Sequence, residues 1–84
     1  MKHASPAALD ALEPLLASLR AVPGVTEKKR GAFYRKSRAF LHFHEDPKGL
    51  FADVRTKDGA DFERFDVTGE PGREALLAAA SARA

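Results

Sequence analysis

The 84-residue chain has no cysteine, so disulfide stapling and thiolate chemistry are excluded and a reducing compartment is the natural setting. No apolar run approaches the ~20 residues that a membrane-spanning helix needs. The N-terminal stretch lacks the apolar segment of a secretory signal. These absences together lead to the expectation of a cytoplasmic protein. The glycines are dispersed, so no glycine-rich phosphate loop is formed. Ser18, Ser37 and Ser81 fall in helix or turn contexts without a nucleophile-elbow pattern, and no cofactor motif is present. A strong charge of one sign is missing too: 14 Lys and Arg stand against 12 Asp and Glu, for a net charge of +2. A wholly basic body is thereby excluded, although one basic end is not.

What remains is the composition of one small globular domain over residues 1–84, with 44% hydrophobic and 31% charged residues. A chain this short buries roughly two-thirds of its unfolded surface, so its core is small. Residues 1–4 read as a loose terminus. Ser5 then caps a helix with Pro6 in its first turn, where the missing N–H costs nothing. Leu9, Leu12, Leu16 and Leu19 recur at helical spacing, widened by Leu15 and Val22. Pro14 predicts a kink or a split in this helix of about residues 6–21, and Asp10 with Glu13 offers an alternative start. Pro23-Gly24 ends it. A charged connector at 25–30 leads to four expected strands, at 31–34, 39–44, 50–56 and 61–67. Turn chemistry at 35–38, at Asp46-Pro47-Lys48-Gly49 and at Asp58-Gly59 separates them. Thr68-Gly69-Glu70-Pro71 opens a second helix. The expected fold is α+β in the order α-β-β-β-β-α, a four-stranded antiparallel meander packed on the N-terminal helix.

Register follows from parity, because residues opposite each other in an antiparallel pair share a face. A four-residue loop at 46–49 pairs Leu41 with Val54, His42 with Asp53, Phe43 with Ala52 and His44 with Phe51. A five-residue loop would bring Asp53 onto the apolar face, which is costly. A two-residue Asp58-Gly59 turn pairs Asp53 with Arg64, Phe51 with Asp66 and Ala52 with Phe65. A Lys36-Ser37 turn pairs Phe33 with Phe40 and Tyr34 with Ala39. One face then carries Ala32, Tyr34, Leu41, Phe43, Leu50, Ala52, Val54, Phe65 and Val67 and packs on the leucine stripe, with Glu63 at its edge. The other carries Phe33, Phe40, Phe51 and Phe62 beside His42, His44, Asp53 and Arg64. Large aromatics on an outer face call for a cover: the C-terminal helix, a second subunit or a ligand.

Three site readings follow. His42, His44 and Asp53 could hold a metal, since imidazoles two apart on a strand point the same way and a cross-strand carboxylate offers a third ligand. The same His-x-His pair occurs in cupin metal sites, but this chain lacks the length and the many strands of a cupin. The same groups suit acid–base work, with a carboxylate orienting a histidine. The basic stretch Lys28, Lys29, Arg30, Arg35, Lys36 and Arg38, interleaved with Phe33 and Tyr34, suits nucleic-acid phosphates. Phe33 and Tyr34 point to opposite faces of a strand, so both cannot stack on one surface. Asp53 and Arg64 read most simply as a cross-strand ion pair.

The order of a leucine-rich helix, Val22-Pro23-Gly24-Val25-Thr26-Glu27, hairpin strands with Phe40 and Phe43, and then Leu50 to Arg55 resembles the start of MmcQ/YjbR-like proteins, over residues 9–55. The resemblance implies a small α+β fold with an antiparallel sheet against helices. It also implies the DNA-binding role suggested for that family, but carries over no functional residue. The function expected from the residues is a non-catalytic binding or interaction domain that forms a homodimer through the aromatic face, with His42, His44, Asp53, Arg64, Phe40 and Phe51 as its contact residues. The alternatives are nucleic-acid binding by residues 28–38 and a metal or small-ligand site at His42, His44 and Asp53.

Overall fold

The computed structural model describes all residues from Met1 to Ala84. It is an α+β domain with six strands and three helices: β1 (Lys2–His3), α1 (Pro6–Ala11), α2 (Glu13–Arg20), β2 (Thr26–Lys29), β3 (Ala32–Arg35), β4 (Arg38–Asp46), β5 (Gly49–Arg55), β6 (Phe62–Asp66) and α3 (Glu70–Arg83). Strands β2 to β6 form an antiparallel sheet in sequence order, and β1 pairs with β4 off that path. The expected four-stranded meander is present as β3 to β6. Two strands were not expected: the two-residue β1, and β2, which occupies the charged connector. Thr26-Glu27-Lys28-Lys29 has none of the apolar alternation that marks a half-buried strand. It forms an edge, where charged side chains discourage pairing with other chains.

The N-terminal helix is split. The Ser5 hydroxyl accepts a hydrogen bond from the Ala8 amide, and Pro6 fills the first turn. Pro14 has no N–H to continue the ladder, so Leu12 leaves helical geometry (φ −96°, ψ 3°) and α2 starts at Glu13. The leucine stripe survives the break. Leu9, Leu12, Leu15, Leu16 and Leu19 share one buried cluster with Leu41, Phe43, Ala52 and Val54 of the sheet, Val67 just after β6, and Leu76 and Ala80 of α3. All three helices therefore serve the same face, and α3 does not cover the other. A Cβ at Gly72 would strike the Asp66 carbonyl oxygen, which shows how closely α3 approaches the sheet. No helix is long and apolar enough to cross a membrane.

The β4–β5 and β5–β6 registers are those that parity gives: Leu41↔Val54, His42↔Asp53, Phe43↔Ala52, His44↔Phe51, then Asp53↔Arg64 and Ala52↔Phe65. The β3–β4 register is not. Tyr34 pairs with Ala39 as expected, but Phe33 pairs with Leu41, not Phe40, because a bulge shifts the register between Phe33 and Tyr34. Ala32 consequently moves opposite His42, and Phe33 turns to the core side. Phe33 and Phe40 are 1% and 3% exposed and both belong to the core cluster. Burying a phenylalanine contributes about 1.5–3 kcal/mol. That gain explains why one irregular step in the ladder is tolerated. Placing these two phenylalanines on the outer face was therefore an error, and Phe40 is a packing residue, not a surface contact.

Candidate functional site: a three-histidine cluster on the open sheet face

The outer face is built across β1, β4, β5 and β6. His42 and His44 point outward from β4. The cross-strand row continues through Asp53 on β5 to Arg64 on β6. Arg64 grips Asp53 with both ends of its fork, Nε to Oδ1 and Nη2 to Oδ2, each at 2.8 Å. The other side of the cluster is completed by His3, which lies directly opposite His44 in the β1–β4 pair. Its ring stacks on that of His44, with centroids 5.1 Å apart and planes at 26°, and lies 6.2 Å from the ring of His42.

Three contacts hold the short β1 in place. The Ala4 amide donates to the Phe43 carbonyl at 3.1 Å, the Ser5 amide donates to Glu45 Oε1, and Ser5 itself caps α1. The helix cap and the strand pairing thus share one residue of slack, which fixes where His3 falls.

The three imidazoles converge. His42 Nδ1 lies 2.8 Å from His44 Nε2, so one ring donates to the other. His44 Nε2 also lies 3.3 Å from Asp53 Oδ2. One ligand atom from each of His3, His42 and His44 falls within 4.8 Å of the others. Phe62 packs edge-on against His42 at 5.3 Å and itself lies beneath the Arg55 guanidinium at 4.6 Å.

The electrostatics favour neutral rings. Burial holds His42 below its ordinary value of 6.5, and the neighbouring His44 adds to the shift, while Asp53 pulls the other way. Burial likewise lowers His44 against the opposing pull of Asp53. Asp53 is held below the usual carboxylate range, first by its hydrogen bonds from Arg64. At neutral pH His42 and His44 therefore offer neutral imidazoles beside an anchored carboxylate, the state in which histidine ligates a metal.

Of the sequence-predicted contact residues, His42, His44, Asp53 and Arg64 meet here. Phe51 lies half-buried beside them, and Phe40 is in the core. His3 was missed, because a two-residue strand has no periodicity to read. Its only signal was a third histidine in a chain otherwise poor in them. Asp53 differs from its expected role as a ligand, since Arg64 occupies both of its oxygens.

The fold places the residues of the basic stretch in separate surroundings. Arg30 is bound to Asp10 and Glu13 at 2.7 and 2.8 Å. The Lys28 ammonium sits 4.7 Å from the Tyr34 ring centre. Lys29 lines an apolar cleft of about 500 Å³ beside His3 and His42. Only Arg35, Lys36 and Arg38 stand together, at the β3–β4 turn.

Comparison with protein-family models, curated proteins and solved structures gave no match.

Proposed function

We propose that the chain is a binding domain for a divalent transition-metal ion, held by His3, His42 and His44 on the open face of the sheet. The observation that carries this reading is the convergence of three imidazoles from two strands to within 4.8 Å. Three histidines with a free position form a recognised zinc donor set, with Zn–N bonds of about 2.0–2.1 Å. Tetrahedral ligands at that distance stand roughly 3.3 Å apart. His42 and His44 lie slightly closer, at 2.8 Å, so a modest ring rotation opens the site.

Asp53 serves the metal indirectly. Anchored by Arg64, its carboxylate lies 3.3 Å from His44 Nε2, on the converging side of the ring, and places a negative charge beside the cation. The dimer reading drew on four phenylalanines, of which Phe33 and Phe40 are core residues. That leaves Phe51 and Phe62, too little for an aromatic interface to be the better account of this face.

Thermal unfolding with and without Zn²⁺ tests the proposal. Saturation at 100 times the Kd stabilises the fold by about 2.7 kcal/mol. For a domain of this size that is a rise in Tm on the order of 10–20 °C. The rise is expected in the parent and absent in His44→Ala. An equal response in both would reject the site.

A further inference from the structure

The far end of the sheet carries a second feature. The β3–β4 and β5–β6 turns lie side by side there, and Arg35, Lys36, Arg38, Arg55, Lys57 and Arg83 line one depression of about 120 Å³. No carboxylate lines it. Of the six cations only Arg83 has an acidic partner, Glu63 at 2.6 Å. Arg55, half-buried, donates to the carbonyls of Ala39 at 2.7 Å and Gly59 at 2.9 Å. Arg38 donates to Gly59 at 3.3 Å. The nearby Asp58 carboxylate is turned onto Thr56 and the Ala60 amide.

Arg35 and Arg38 are direct cross-strand partners, an arrangement that like charge disfavours. Lys36 and Ser37 between them both have positive φ, 51° and 66°, which a side chain rarely adopts. A chain of net charge +2 thus gathers six cations around one small concavity.

We infer that this depression is a binding site for a single phosphate group, presented as inorganic phosphate or a terminal phosphate monoester. The guanidinium of Arg38 and the ammonium groups of Lys36 and Lys57 suit a tetrahedral oxyanion, and Arg55, whose Nε and Nη1 are held by the Ala39 and Gly59 carbonyls, adds fixed positive charge. The small volume of the depression suits one phosphate. A nucleic-acid strand would need a groove along its backbone with aromatics for its bases, and Phe40, the aromatic in this lining, is buried. Three of the cations, Arg55, Lys57 and Arg83, come from outside the basic stretch of the sequence, and only the fold assembles them.

The test is an NMR titration of ¹⁵N-labelled protein with inorganic phosphate against chloride at matched ionic strength. A phosphate site gives saturable shifts at the amides of Lys36, Ser37 and Gly59. Arg38→Gln and Lys57→Gln, both at exposed positions, each weaken binding about tenfold. Lys28→Gln, a cation outside the depression, leaves it unchanged. Shifts that do not saturate, or equal weakening by Lys28→Gln, would overturn the site. So would binding of an oligonucleotide without terminal phosphates when inorganic phosphate does not bind. Dispersed spectra for each variant confirm that it is folded.

Discussion

His42 and His44 illustrate how a neutral imidazole becomes a stability term. Their protonation is disfavoured in the fold by burial, whereas the unfolded chain protonates near pH 6.5. Both states are neutral above that value, so stability there is unaffected. As pH falls below it, the unfolded state binds protons first, and the fold loses stability until the depressed native values are reached. Chemical denaturation in the absence of metal should therefore show a midpoint that declines from about pH 7 toward pH 5. The double variant His42→Gln, His44→Gln should flatten that decline, and an unchanged slope would show that these rings are not the cause. At the same scale, Asp53 pulls the His44 proton affinity upward. Asp53→Asn should lower the His44 titration midpoint further, as followed by its ring resonances, and a rise would contradict the charge arrangement described.

The β3–β4 bulge and the docking of α3 are settled at the level of elements. Parity gave two of the three expected hairpin registers correctly, because His42, Asp53 and Arg64 cannot share a face with Leu41, Val54 and Phe65 without burying charge. Parity failed at Phe33 because it assumes a regular ladder, and a bulge allowed both Phe33 and Phe40 into the core. Truncating Phe33 to alanine should cost about 3–5 kcal/mol in urea unfolding, well above the cost of Phe51→Ala on the half-buried outer face. Equal costs would place Phe33 back on that face. In α3, Gly72→Ala sets helix propensity against packing. Alanine favours an isolated helix by ~0.8–1.0 kcal/mol. The added methyl would meet the Asp66 carbonyl oxygen, and overpacking of this kind costs roughly 1–3 kcal/mol. Net destabilisation is expected, and a more stable Gly72→Ala protein would show that α3 can shift at little cost.

For the whole molecule, most of the architecture was legible from hydrophobic period and turn chemistry: the leucine stripe, the break at Pro14, the meander and its polar face. The pieces that were not legible are the ones that complete the sites. β1 is too short for a pattern and β2 too charged for one, yet β1 brings His3 to the His42–His44 pair. The basic stretch read as continuous in sequence is divided by the fold. Arg30 is drawn into a network with Asp10 and Glu13, while Arg35, Lys36 and Arg38 join cations from distant elements. Long-range pairing, not local propensity, made both arrangements.

The central claim is that β1 and β4, paired strands far apart in sequence, supply one metal site. Titration with Co²⁺, followed by visible absorption, tests it most directly. The account predicts a saturable ligand-field band in the parent that is lost in His3→Ala, a variant at an exposed strand position whose fold circular dichroism can verify. A band of undiminished intensity in His3→Ala, or none in the parent, would contradict it.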